Sequence, residues 1–207
     1  MARTMSRARG VLVVWIQALC CVSCAVNPSS GSGRAAKGSP TLALSTYYEE
    51  GSQAAVVVGV RPALSRRDRP YIPVEVAVVN KGLAALTLTA ESFLLVDTDG
   101  RSFPTVTAQE LSRGYGSTDV DRRLGEIEPI VQNRYQTFER VPSNFTPGFD
   151  TPIGRDRVTL HRFSYLVDMV YFPNPAVPTP AAPYDLLVRA PELQDPLVVR
   201  FIVGRAR

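Results

Sequence analysis

From residue 41 onward, apolar and polar positions alternate along much of the chain. Ile72, Val74, Val76 and Val78 recur at period two within Ile72-Pro73-Val74-Glu75-Val76-Ala77-Val78-Val79. That spacing predicts a half-buried antiparallel strand. Asn80-Lys81-Gly82 then supplies turn chemistry, and Ala85-Leu86-Thr87-Leu88-Thr89 alternates again. Phe93-Leu94-Leu95-Val96 runs into Asp97-Thr98-Asp99-Gly100, and Ser102-Phe103-Pro104-Thr105-Val106 leaves it. The Asp-Gly pair predicts a tight hairpin, because both residues tolerate positive φ. Further strands are expected over 42–48, 54–61, 165–172, 184–189 and 197–203. About eight short strands, broken by turns and lacking a strong helical period, predict an all-β antiparallel sandwich. Only 108–113 suggests a helical turn, and 114–158 reads as a long irregular insertion.

The first forty residues follow a different pattern. Arg3, Arg7 and Arg9 precede an apolar run, 11–19, which closes on Cys20-Cys21-Val22-Ser23-Cys24 and a Gly/Ser/Pro-rich stretch, 25–40. A membrane-spanning helix needs about 20 apolar residues, so a run of this length matches a secretory signal instead. Val22-Ser23-Cys24 resembles the end of a bacterial lipobox, although Cys21 stands where Leu is usual. The resemblance implies a signal peptide over 1–23 and lipid attachment at Cys24. Ser23-Cys24-Ala25 also offers small residues to ordinary signal peptidase, which would release a soluble periplasmic or secreted chain. On the lipoprotein reading, 24–40 is a flexible tether with an r.m.s. span of roughly 20–25 Å. Ala25, in place of Asp, points to the outer membrane with the domain facing the periplasm.

Charge changes the picture once the signal is set aside. The whole chain carries 23 Lys and Arg against 19 Asp and Glu, a formal +4. Three of the cations precede Cys24 and no acid does, leaving 20 against 19 beyond it. A balanced chain lacks the basic tract that phosphate neutralisation needs, so no nucleic-acid partner is expected. All three cysteines lie within 20–24, so the domain at 41–207 has no disulfide or thiolate metal site.

At 74–103 the chain resembles a known family. Val76-Ala77-Val78-Val79-Asn80-Lys81-Gly82, Leu86-Thr87-Leu88 and 92–103 are similar to the telokin-like immunoglobulin-fold domains of bacterial lipoproteins and secreted proteins. Met169-Val170-Tyr171-Phe172-Pro173 is similar to the strand that family places before its last hairpin. The resemblance implies an immunoglobulin-like sandwich serving as a binding or interaction module, and it brings no catalytic residues.

Candidate chemistry is sparse. Asp97-Thr98-Asp99-Gly100 begins like a calcium loop, but the twelfth position is Ala108 rather than Glu. Leu94-Leu95-Val96-Asp97-Thr98 approaches the aspartic-protease signature, yet Asp99 is interposed before the Gly. His161 is the single histidine and has no identifiable nucleophile partner. Asp119, Asp121, Glu126 and Glu128 stand beside Arg113, Arg122 and Arg123, a mixture that reads as a solvated face. Gly114-Tyr115-Gly116-Ser117 lacks the strand–turn–helix context of a phosphate loop. Tyr135, Phe138, Phe145 and Phe149 are expected to cap the sandwich core. The Pro-rich run 173–183 is expected to be a stiff connection.

The expected function is that of a non-enzymatic, membrane-tethered binding domain with an envelope protein partner and no cofactor or metal. The partner would be met through sheet edges or the 114–158 segment. The alternatives are a structural accessory subunit of a secretion or pilus assembly machine and, last, a hydrolase using Asp97.

Overall fold

The computed structural model describes residues 41–43, 45–146 and 155–204. The expected signal segment 1–23, the expected lipid attachment site Cys24, the expected tether 24–40 and Phe149 lie outside the described residues. The chain forms β1 (Thr41–Ala43), β2 (Thr46–Glu50), β3 (Ala54–Gly59), α1 (Arg61–Ser65), β4 (Tyr71–Asn80), β5 (Ala85–Leu88), a 3-10 turn (Ala90–Ser92), β6 (Phe93–Val96) and β7 (Ser102–Pro104). It continues through α2 (Ala108–Gly114), α3 (Thr118–Arg123), α4 (Ile127–Arg134), β8 (Glu139–Arg140), β9 (Val158–His161), β10 (Ser164–Pro173), β11 (Pro183–Val188) and β12 (Leu197–Ile202).

One sheet runs in the order β1-β2-β3-β4-β10-β8, a second in the order β12-β11-β6-β7, and β5 pairs with β9. Every pairing is antiparallel except the short contact of β8 with β10. The architecture is therefore an all-β sandwich. Val56, Val58, Val74, Val76, Val78, Leu166, Val170 and Phe172 from the first sheet form one core with Phe93, Leu95, Tyr184, Leu186, Val199 and Phe201 from the second. Fully burying such a side chain stabilises by about 1.5–3 kcal/mol, so this seam dominates the packing.

Alternation placed these strands, with three differences. The stretch 42–48 is two strands rather than one, with a register shift in β1. β9 begins at the expected end of the insertion, and its Val158 and Leu160 are buried while Thr159 and His161 are exposed. β4 is buried on both faces: beyond the core set, Glu75, Ala77 and Val79 are also covered.

The cover on that second face is the segment read from the sequence as irregular, which carries α3, α4, β8 and the start of β9. Ile127, Val131 and Tyr135 of the α4 region pack with Ala55, Val57, Ala77, Val79 and Tyr165. Leu111 and Tyr115 of the α2 region pack with Met169 and Tyr171 of β10. Pro73 in β4 is tolerated because the β3 pairing ends at Gly59–Glu75, so its missing N–H breaks no rung there.

Candidate functional site

A group of buried polar residues fastens the helices to the first sheet. Glu75, 6% exposed, lies under the junction of α3 and α4. Its Oε2 accepts from the N–H of Glu126 at 2.7 Å and of Ile127 at 3.0 Å. Two glycines make this approach possible. A Cβ on Gly59 would lie 2.7 Å from Ile127 Cγ2, and one on Gly125 would lie 2.6 Å from Glu75 Oε1. Burial raises the Glu75 carboxyl above its ordinary value, the neighbouring carboxylates Glu126 and Glu128 push it the same way, and the two backbone N–H groups oppose them.

Asp168 is the second buried carboxylate. Its oxygens accept from the N–H of Phe145 and Met169, both at 2.8 Å, and Arg122 Nη1 stands 3.4 Å away. Arg122 also donates to Asn144 Oδ1 at 2.8 Å and to the Thr146 carbonyl. Asp121, fully buried, accepts from Arg66 Nε and from the Tyr115 hydroxyl, each at 2.7 Å. Burial, then the bond to Asp121, pushes the Tyr115 hydroxyl well up. These groups hold the helices and the first sheet together.

The residues singled out from the sequence are dispersed. Asp97 organises the β6–β7 turn: Oδ1 accepts from the N–H of Asp99 at 3.0 Å and of Arg101 at 2.9 Å, and Oδ2 from Arg101 Nε at 2.7 Å. Desolvation pushes its carboxyl up, but the Arg101 amide and guanidinium and the Asp99 amide outweigh it and hold it below the usual range. Gly100 takes φ +79°, the left-handed conformation that the turn requires. His161 is exposed at the end of β9.

The acidic group does not act as a single solvated face. Asp121 is buried against Arg66, Glu126 binds Ser45 and Arg61, and Glu128 pairs with Arg140. Among the described residues no three His, Cys, Asp or Glu side chains converge as a metal site. Tyr115 joins the α2 cluster, so Gly114-Tyr115-Gly116-Ser117 links two helices rather than forming a phosphate loop. Phe145 does reach the sandwich core, 5.7 Å from Phe93. Tyr135 and Phe138 pack on the opposite face of the first sheet. The Pro-rich connection is anchored by Asn174, which donates to the Arg69 carbonyl at 2.8 Å, and by Thr179, whose N–H reaches the Arg67 carbonyl at 2.8 Å.

Two surface features bear on partner binding, and the second of them, β12, also packs close to β2 and β3. A cavity of about 610 Å³ lies between Thr89, Ala90, Glu91, Phe145 and 155–157. A neighbouring one of about 320 Å³ shares Ala90 and Glu91 and runs along 104–107. The other feature is β12, which pairs with β11 on one side and with no strand on the other among the described residues. It spans six residues, whereas the other end strands of the two larger sheets, β1, β7 and β8, span three, three and two. Val198 on β12 is 41% exposed, while Val199 and Phe201 point into the core.

Among the described residues no helix is long and apolar enough to cross a membrane. No family model, curated protein or solved structure matches the chain.

Proposed function

We propose that this chain is a cell-envelope lipoprotein whose immunoglobulin-like domain binds an envelope protein and carries out no reaction. Cys24 is the lipid attachment point, 24–40 the tether, and the outer membrane facing the periplasm the location. One observation carries the binding reading: β12 presents a six-residue edge without a strand partner among the described residues. Such an edge is a template for an added strand, in which main-chain bonds supply affinity and alternate side chains supply specificity. Two further observations favour it. Ile127, Val131 and Tyr135 of the 114–158 segment are spent inward against the first sheet, which favours recognition at the sheet edge. Asp97 is engaged by its own turn, which favours binding over hydrolysis.

The test is recovery of a partner from detergent-solubilised membranes, comparing wild type with Val198→Lys, Asp97→Asn and Cys24→Ala. A lysine on an edge strand blocks further pairing without entering the core. Val198→Lys is expected to reduce recovery by about tenfold or more, equivalent to about 1.4 kcal/mol of binding. Asp97→Asn is expected to leave recovery unchanged, and Cys24→Ala to move the chain into the soluble fraction. A partner bound equally by wild type and Val198→Lys would refute the edge. Recovery at fixed stoichiometry within a large assembly would favour the accessory-subunit role.

A further inference from the structure

Glu75 is a carboxylate in an unusual position for a residue of a central strand. It sits between the first sheet and the α3–α4 junction, and among the described residues no cation pairs with it. The groups around it are neutral or negative, apart from Arg61 and Arg140, which are engaged by Glu126 and Glu128. From the α4 region the charges of Glu126 and Glu128 act on it. α1 brings Arg61, whose Nη1 is 3.5 Å from Glu126 rather than bonded to Glu75. From β3 and β10 its register neighbours are Gly59 and Met169. The turn before β2 brings Ser45, which donates to Glu126.

Thr46 supplies an independent observation. It pairs with Gly59, which pairs with Glu75, so the three occupy one row of the sheet. The Thr46 hydroxyl is buried and has no hydrogen-bond partner in that row or elsewhere among the described residues. An ionised carboxylate in such a place has only two backbone N–H groups to replace its hydration. Burying a charge costs far more than burying the neutral acid.

We propose that Glu75 is a proton-dependent latch: neutral, it holds the α3–α4 junction on the first sheet, and ionised, it loosens that junction. The physical sequence is short. Ionisation places a negative charge beside Glu126 and Glu128 in a dry pocket. The charge is relieved when water reaches it, and water enters only if Gly125 and the start of α4 move away. Movement of α4 uncovers Ala55, Val57, Ala77 and Val79, the apolar residues it packs against. The direction follows from linkage. A carboxyl held above its unfolded value contributes its full stabilisation at pH below the unfolded range and loses it as pH rises through the folded value. The latch is closed at pH below the ordinary carboxyl range and eases as pH rises above it. This inference does not depend on the β12 edge, whose binding test is separate.

Amide hydrogen exchange on the full chain in detergent reads the junction directly. The quantity is protection of the α4 amides relative to those of β11, taken between about pH 5 and about pH 8 after correction for intrinsic rates. In wild type the ratio is expected to fall as pH rises, roughly tenfold for each unit by which the carboxyl titrates differently in the closed and open forms. Glu75→Gln is expected to make the ratio independent of pH. A flat wild-type ratio, or Glu75→Gln with the wild-type slope, would overturn the proposal. If Glu75→Gln does not fold, Glu126→Gln decides together with wild type. Removing that neighbouring charge should shrink the fall in the ratio between the two pH values, and an unchanged fall overturns the latch.

Discussion

Asp168→Ala is expected to lower stability by about 3 kcal/mol, the low end of the 3–5 kcal/mol range for breaking a buried ion pair. The carboxylate is 4% exposed and answers the N–H groups of Phe145 and Met169 as well as Arg122. Truncation leaves two amides without their acceptor and a guanidinium without its counter-charge. The low end applies because the Arg122 side chain is 26% exposed and keeps Asn144 and the Thr146 carbonyl. Asp168→Asn discriminates between charge and shape. Burial holds the Asp168 carboxyl above the usual range despite the Phe145 amide and Arg122, so the neutral isostere should recover most of the loss. Urea unfolding with an unchanged slope measures both. An Asp168→Ala midpoint within about 0.5 kcal/mol of wild type would remove this network from the account.

Ile127→Ala is expected to cost about 2–5 kcal/mol, because it deletes most of a fully buried side chain. The residue fills the space left by Gly59, so the cavity would open directly above β3. The effect should be local as well as global: exchange protection should fall across α3 and α4 before it falls in β11 and β12. Val120→Ala, on a side chain 40% exposed in α3, serves as the control and should stay within about 0.5 kcal/mol. Equal losses for the two substitutions would mean that the helices do not cover the sheet as described.

Period-two alternation made most of the sandwich readable, since a side chain's face in a strand depends only on parity. It found β4, β6, β10, β11 and β12, and Asp97 to Gly100 marked their turn. What escaped was the second covered face of β4. A cue was present: Ala77 and Val79 break strict alternation with apolar residues at the odd positions. Ile127, Val131 and Tyr135 stand at i, i+4 and i+8, the spacing of one helix face. That signal is weak over the eight residues of α4. Pro129 in its first turn resembles a breaker, yet it costs nothing there because no intrahelical donor is lost. Glu75 and Asp168 could not be read as buried at all. Most of their partners, the amides of Glu126, Ile127 and Phe145, stand more than twenty residues away, and sequence spacing does not report those. The β12 edge was legible as a strand but not as the end of a sheet, because strand order is settled by pairing.

On the proposed binding role, β12 is where the domain would meet its partner. Photo-crosslinking in intact cells tests it most directly, with the reactive group placed at Val198 and, as the control, at Val177 in the Pro-rich connection, which is 57% exposed. A discrete adduct to one envelope protein from position 198, absent from position 177, is the predicted result. No adduct at 198, or the same adducts from both positions, would contradict it.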